Sequence, residues 1–231
     1  MKTVIWTIIF FILFCVNSTI VVAVGELIVT GFDGVSPFQP SVKLLKKRID
    51  ANDIGGIILY QRNIKNFNQL QELIQYLTKD TSTIIAIDHE GGLVNRLTHN
   101  TFGISLLSPE LFCQQPIFKQ KAYAKQSAQL LVELGINVNF GGVLDLKPLV
   151  GESSVCNDQR CFSNQVDDVI QCFNVLHEAH QNAGVHFVQK HFPGHGSTPI
   201  DSHLSLPNIT HWHSDEELAP YWRVLNNGVS G

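Results

Sequence analysis

Short apolar runs alternate along the chain with longer stretches whose apolar residues recur at helical spacing. Leu27-Ile28-Val29 is the first run, and the spacing of Val42, Leu45 and Ile49 predicts the helix after it. Gly55 to Tyr60 reads as a second strand, followed by Phe67 to Leu77, where Leu70, Leu73, Ile74 and Leu77 share one helical face. Ile84-Ile85-Ala86-Ile87 is apolar throughout, as a parallel strand buried on both faces requires. A long amphipathic helix is predicted from about Phe118 to Leu134, stopped by Gly135, with a fourth strand over Ile136 to Phe140. Val166 to Ala183 predicts a helix ending at Gly184, Val185 to Gln189 a fifth strand, and Asp215 to Leu225 a last helix.

This alternation implies a parallel sheet covered by helices. Periodicity alone admits a doubly wound sheet or a (β/α)8 TIM barrel. The polar residues favour the barrel. Asp88 and Glu90 follow strand three, Asp145 follows strand four, and Lys190 and His191 follow strand five. A ring of polar groups at successive strand C-termini is how a barrel assembles an active site. The expectation is an α/β chain carrying about five β/α units of such a barrel, with the other units supplied by downstream sequence.

Composition narrows the chemistry. The 231 residues are 44% hydrophobic and 16% charged, ordinary for a folded domain, and the formal charge of −4 supplies no basic surface for nucleic acid. Met1-Lys2 and the apolar run from Val4 to Val16 match a secretory signal, with Val21-Val22-Ala23 at the cleavage point. The competing readings are an uncleaved membrane anchor over Val4 to Val24 and lipidation of Cys15; Phe14 is bulky for the latter. All three export the chain, to the periplasm or outside the cell, and leave residues 24–231 as the folded part. That part keeps Cys113, Cys156, Cys161 and Cys172. Cys156 and Cys161 close a small ring if they pair, and four buried thiols are the equal alternative.

Three segments carry candidate chemistry. In Asp88-His89-Glu90-Gly91-Gly92-Leu93-Val94-Asn95-Arg96, a carboxylate at a strand end and an arginine beyond two turn-forming glycines suit sugar hydroxyls, which need both acceptors and donors. An Asp-Arg loop brace is the bland reading. In Lys190-His191-Phe192-Pro193-Gly194-His195-Gly196, two basic residues leave a strand into a rigid Pro-Gly loop. His186, His191, His195, His203, His211 and His213 crowd nearby, but zinc-binding spacing on a helix is absent and no metal site is expected. In Asp201-Ser202-His203, the carboxylate can hold one imidazole nitrogen and leave the other outward, an orienter–base pair. A loop brace is again the alternative.

Taken together and in this order, the three segments resemble glycoside hydrolase family 3, in the branch of bacterial β-N-acetylglucosaminidases acting on peptidoglycan fragments. The resemblance runs from near Gly31 to the end, through Gly55–Asn63, Asn139–Leu146, Gln159–Ser163 and Asp201–Pro207 as well. It implies a retaining glycosidase releasing terminal β-linked N-acetylglucosamine from peptidoglycan-derived or chitin-like oligosaccharides, without cofactor. By position, Asp88, Arg96, Arg160, Lys190 and His191 match the family's sugar contacts, and His203 oriented by Asp201 matches its acid/base. The Asp-His pair departs from the usual two-carboxylate plan. Leu93 stands where the family commonly has arginine. The family's nucleophile, an aspartate on a later strand, matches no residue of this sequence, so the chain alone is expected to be inactive. A catalytically dead sugar-binding protein and a histidine-cluster metallohydrolase are the competing classes.

Overall fold

The computed structural model describes residues 24–78, 82–104, 106–210 and 215–226. The expected signal or anchor, residues 1–23, and two members of the histidine run, His211 and His213, lie outside the described residues. No described helix is long and apolar enough to cross a membrane.

Five parallel strands form one sheet: β1 (Val29–Thr30), β2 (Gly56–Leu59), β3 (Ile84–Ile87), β6 (Val138–Val143) and β7 (His186–Lys190). They lie side by side in chain order, each paired with its predecessor. A doubly wound sheet reverses direction partway and sends helices to both faces. This one never reverses, so successive crossovers of one hand put every helix on the same side, as in a barrel wall. The two strands between β3 and β6 form a separate antiparallel hairpin, β4 (His89–Gly91) with β5 (Val94–Asn95).

The helices are α1 (Pro40–Asp50), α2 (Phe67–Thr78), α3 (His99–Phe102), α4 (Pro109–Cys113), α5 (Ile117–Leu134), α6 (Val166–Asn182) and α7 (Asp215–Asn226). Their boundaries follow from local chemistry. Proline opens α1 where its missing N–H costs nothing, and Ser108 caps α4 by accepting from the Leu111 N–H. Gly135 ends α5 in the left-handed conformation at φ 83°.

The two predicted stripes are buried, Val42, Leu45 and Ile49 in α1 among them. Leu70, Leu73, Ile74 and Leu77 of α2 pack with Ile57 and Leu59 of β2, Ile85 and Ile87 of β3, and Leu130, Leu131 and Leu134 of α5. A second cluster joins Phe173 and Leu176 of α6 to Phe187 of β7 and Tyr221 and Val224 of α7. Pairing register sets Ile58, Ala86, Val138 and His186 in one row on the face away from these clusters. Cys156–Cys161 and Cys113–Cys172 are both disulfides.

Candidate functional site

The C-terminal ends of β3, β6 and β7 deliver charged side chains into one half-buried cluster. Asp88 directly follows β3, Lys190 is the last residue of β7, and Asp145 lies two residues beyond β6. Lys190 Nζ reaches Asp88 Oδ1 at 2.9 Å and Glu90 Oε1 at 2.5 Å. Arg160 grips the same Glu90 with both arms of its fork, Nε to Oε2 at 2.8 Å and Nη2 to Oε1 at 2.9 Å. The Glu90 side chain is wholly buried, and a buried charge of that kind persists only when paired on every side. Burial alone depresses the Arg160 pKa, but the Glu90 carboxylate outweighs it and the net shift is upward.

Asp145 anchors the next loop. Its Oδ1 accepts from the His195 N–H at 2.7 Å and the Tyr221 hydroxyl at 3.2 Å, and Oδ2 meets His191 Nδ1 at 2.6 Å. Desolvation pushes the buried Asp145 carboxyl up, yet the hydrogen bonds from the His191 ring and the His195 amide carry it below the usual carboxylate range. Tyr221 responds in the opposite sense: burial first, then the Asp145 charge, raises its phenol. His191 Nε2 lies 3.4 Å from Arg160 Nη2, which suits a ring donating Nδ1–H to Asp145 and turning a lone pair toward the guanidinium. The Lys190–His191 and Phe192–Pro193 peptide bonds are both cis.

Beneath the cluster, Asn139 of β6 clamps the β3–β4 turn. Its Oδ1 accepts from the His89 N–H and its Nδ2 donates to the His89 carbonyl, both at 3.1 Å. The same Nδ2 faces His180 Nε2 at 3.1 Å, while His180 Nδ1 donates to the Leu176 carbonyl at 2.8 Å. The peptide so held joins Asp88 to Glu90, so Asn139 sets the spacing of the two carboxylates that share Lys190. Gly91 turns away immediately after, at φ 102°, with a Cβ position only 2.1 Å from the Leu107 carbonyl oxygen.

Of the residues predicted from sequence, Asp88, Arg160, Lys190 and His191 are brought together. Arg96 is not joined to them by any hydrogen bond at Nε, which is buried without a partner near His89. Asp201 and His203 form their pair, Nδ1 to Oδ1 at 2.8 Å, with the His203 N–H donating to the same oxygen at 2.9 Å. They stand apart from the buried cluster on an exposed loop, the His203 side chain 87% accessible. The amide and ring of His203 hold the Asp201 carboxyl below its ordinary pKa. Glu90, Asn139, His195 and Tyr221 had no assigned role in the sequence reading. A signal existed for Glu90 alone, because residues two apart in extended chain share a face.

Parallel strands wound in chain order, with charged residues gathered at their C-terminal ends, define part of a barrel-type α/β domain. The Glycosyl hydrolase family 3 N terminal domain model matches residues 19–230, and the chain belongs to that family. A β-hexosaminidase of Thioalkalivibrio sulfidiphilus is 31% identical over 189 residues, 77% of this chain and 53% of the relative. One from Shewanella frigidimarina is 38% identical over 164 residues, 67% of this chain and 46% of the relative. The chain thus spans about half the length of these curated relatives. Among solved structures, a family 3 β-N-acetylglucosaminidase from Paenibacillus superposes with a TM-score of 0.73 at 31% identity, covering 89% of this chain and 40% of that one. NagZ from Neisseria gonorrhoeae gives 0.72 at 29% identity, covering 88% and 60%. The same NagZ has been solved with N-trifluoroacetyl-D-glucosamine.

Proposed function

We propose that these residues form the sugar-recognition and acid/base half of an exported, retaining β-N-acetylhexosaminidase. Its substrate is an oligosaccharide ending in β-linked N-acetylglucosamine. Support comes foremost from the Lys190–Asp88–Glu90–Arg160 cluster, which offers carboxylate acceptors and cationic donors side by side at strand C-termini. Asp88, Arg160, Lys190 and His191 contact the sugar, and Arg96, whose buried Nε lacks a partner, completes the contacts. His203 protonates the leaving oxygen, held at Nδ1 by Asp201, and then takes a proton from the water that releases the glycosyl-enzyme. The relatives' named activity and the N-acetylglucosamine analogue bound by NagZ favour this substrate. Two disulfides fit an oxidising compartment, and hence export.

Retention also requires a carboxylate that attacks the anomeric carbon. None in the cluster is available: Asp88 is tied to Lys190, Glu90 to Lys190 and Arg160, and Asp145 to His191. The attacking group therefore belongs outside the described cluster, and this segment binds sugar without cleaving it. Titrating N-acetylglucosamine into the 231-residue protein is the test. Saturable binding that weakens at least about tenfold in Arg160→Ala, about 1.4 kcal/mol, is expected. Equal affinity in the variant would sink the assignment.

A further inference from the structure

We infer that the Cys156–Cys161 disulfide is the device that positions Arg160, so that the sugar site is assembled only where this bridge is closed; the inference rests on the sugar-binding reading above. The bridge spans five positions and encloses a 3-10 turn, Cys156–Asp158, followed by Gln159 in the left-handed conformation at φ 58°. Arg160 comes next, directly before Cys161. Its fork must present two nitrogens to Glu90 at once, at 2.8 and 2.9 Å, and such bidentate contacts depend on the angle of approach.

Few other restraints act so close to it. Gln159 is held by its carbonyl to the Glu110 N–H at 3.2 Å and by Oε1 to the Ser108 hydroxyl at 3.0 Å. On the far side, the next backbone bond is from the Lys147 N–H to the Ser163 carbonyl. Between them Phe162 packs in the core beside Phe112 and the Gln159 N–H reaches the Cys156 carbonyl at 3.0 Å, but the bridge is the one covalent restraint on the turn, and a glutamine released from it seldom stays left-handed. The two cysteines are buried and pack with Val143, at the end of β6, and Val155, so the ring is fastened to the sheet. Its preceding residues also reach the acid/base loop. The Ser154 N–H donates to the Thr198 carbonyl at 2.9 Å and its hydroxyl to the Ile200 carbonyl at 3.2 Å. Opening the ring therefore loosens both sides of the site. Cys113–Cys172 differs, joining the end of α4 to α6 and enclosing no turn around Arg160.

Apparent affinity falls in proportion to the fraction of molecules holding the binding geometry. If the freed loop holds it for roughly a tenth to a fifth of the time, affinity drops about five- to tenfold. The test compares the C156A/C161A and C113A/C172A double variants of the 231-residue chain with the oxidised parent, using N-acetylglucosamine itself as probe. C156A/C161A should bind about five- to tenfold more weakly and C113A/C172A within about twofold of the parent. A second measurement needs no sugar: the Arg160 Nε–H, pinned to Glu90, should exchange slowly with solvent in the parent and rapidly in C156A/C161A. Unchanged affinity, or an Nε–H that stays protected, overturns the inference. Should the parent bind no sugar, the sugar reading falls, while the Nε–H exchange still decides whether the bridge positions Arg160. Should C156A/C161A fail to fold, the same exchange is read before and after dithiothreitol on C113A/C172A, in which Cys156–Cys161 is the bridge that remains. That two-electron reduction converts the bridge to two thiols and the dithiol to its cyclic disulfide, and persisting protection is again the refuting result.

Discussion

Lowering the pH from 7 to 5 should destabilise the folded chain by about 4 kcal/mol, through two histidines buried beneath the site. Burial, reinforced by the neighbouring His180 and Arg96 charges, takes His89 from 6.5 down to about 3. Burial likewise takes His180 to about 4, against the partial restoring effect of its Leu176 hydrogen bond. Both therefore stay neutral in the fold at pH 5, while in the unfolded chain they protonate around 6.5. The unfolded state binds more protons across this window, so stability is complete above 6.5 and lost as the pH falls toward 4. One such group loses about 1.9 kcal/mol between pH 7 and pH 5, at 1.36 kcal/mol per unit once the unfolded ring is fully charged. His177, lowered for the same reason but only half-buried, adds less. With a urea m-value of roughly 2–3 kcal/mol/M, the midpoint should move by roughly 1.5 M. Urea melts at half-unit pH steps in the wild type and in a His89→Met/His180→Gln variant make the assay. The variant is less stable at pH 7 but should lose most of the pH slope. A wild-type midpoint that is flat from pH 7 to 5, or a slope surviving intact in the variant, refutes the reasoning.

Glu90→Gln leaves Arg160 and Lys190 facing an uncharged amide in a buried setting. Urea melts should show a loss of about 3–5 kcal/mol, and N-acetylglucosamine affinity should fall with it. Tyr221→Phe removes one of three hydrogen bonds to Asp145 and keeps the ring packed edge-on to Phe192; about 1 kcal/mol should be lost in the same melts. Gly91→Ala puts a Cβ against the Leu107 carbonyl oxygen in a backbone conformation alanine avoids. A loss of about 3 kcal/mol or more is expected, with weakened sugar binding because the hairpin carries Glu90.

What could be read from the sequence was whatever local periodicity controls. The stripe of Leu70, Leu73, Ile74 and Leu77 and the run Ile84–Ile87 specify a helix and a buried strand wherever they occur, and Gly135 ends α5 for reasons confined to its own φ. Ends slipped where tertiary pairing extends an element. The fourth strand, expected over Ile136 to Phe140, runs Val138–Val143 because β7 pairs with it as far as Val143 across a bulge. The β4–β5 hairpin and α4 were missed because two- to five-residue elements carry too little pattern to stand out from loop. Strand order was open to two architectures, since alternation looks the same in both, and only the ring of polar strand ends leaned toward the barrel. Within the site, no local signal joins Glu90 to Arg160, 70 residues apart, or Cys113 to Cys172, 59 apart. The Asp201–His203 pair was visible because two residues in one turn need no fold to meet.

The structure holds two Asp-His pairs, one in the buried cluster and one on an exposed loop, and their surroundings differ. In each, a carboxylate holds Nδ1, at 2.6 Å for His191 and 2.8 Å for His203. His191 turns its other nitrogen to the Arg160 guanidinium, and every oxygen of its aspartate is engaged by loop or helix groups. With Nδ1 tied to Asp145 and Nε2 facing the guanidinium that Glu90 fixes, both ring nitrogens of His191 are engaged and the ring is held in position. Among the described residues the His203 ring is held at Nδ1 by Asp201, and its side chain is largely exposed. Proton transfer needs one nitrogen oriented and the other open, and of these two pairs the Asp201 pair has that form, as the proposed acid/base role requires. The buried pair is fixed by its neighbours on every side, while the exposed pair holds only itself together.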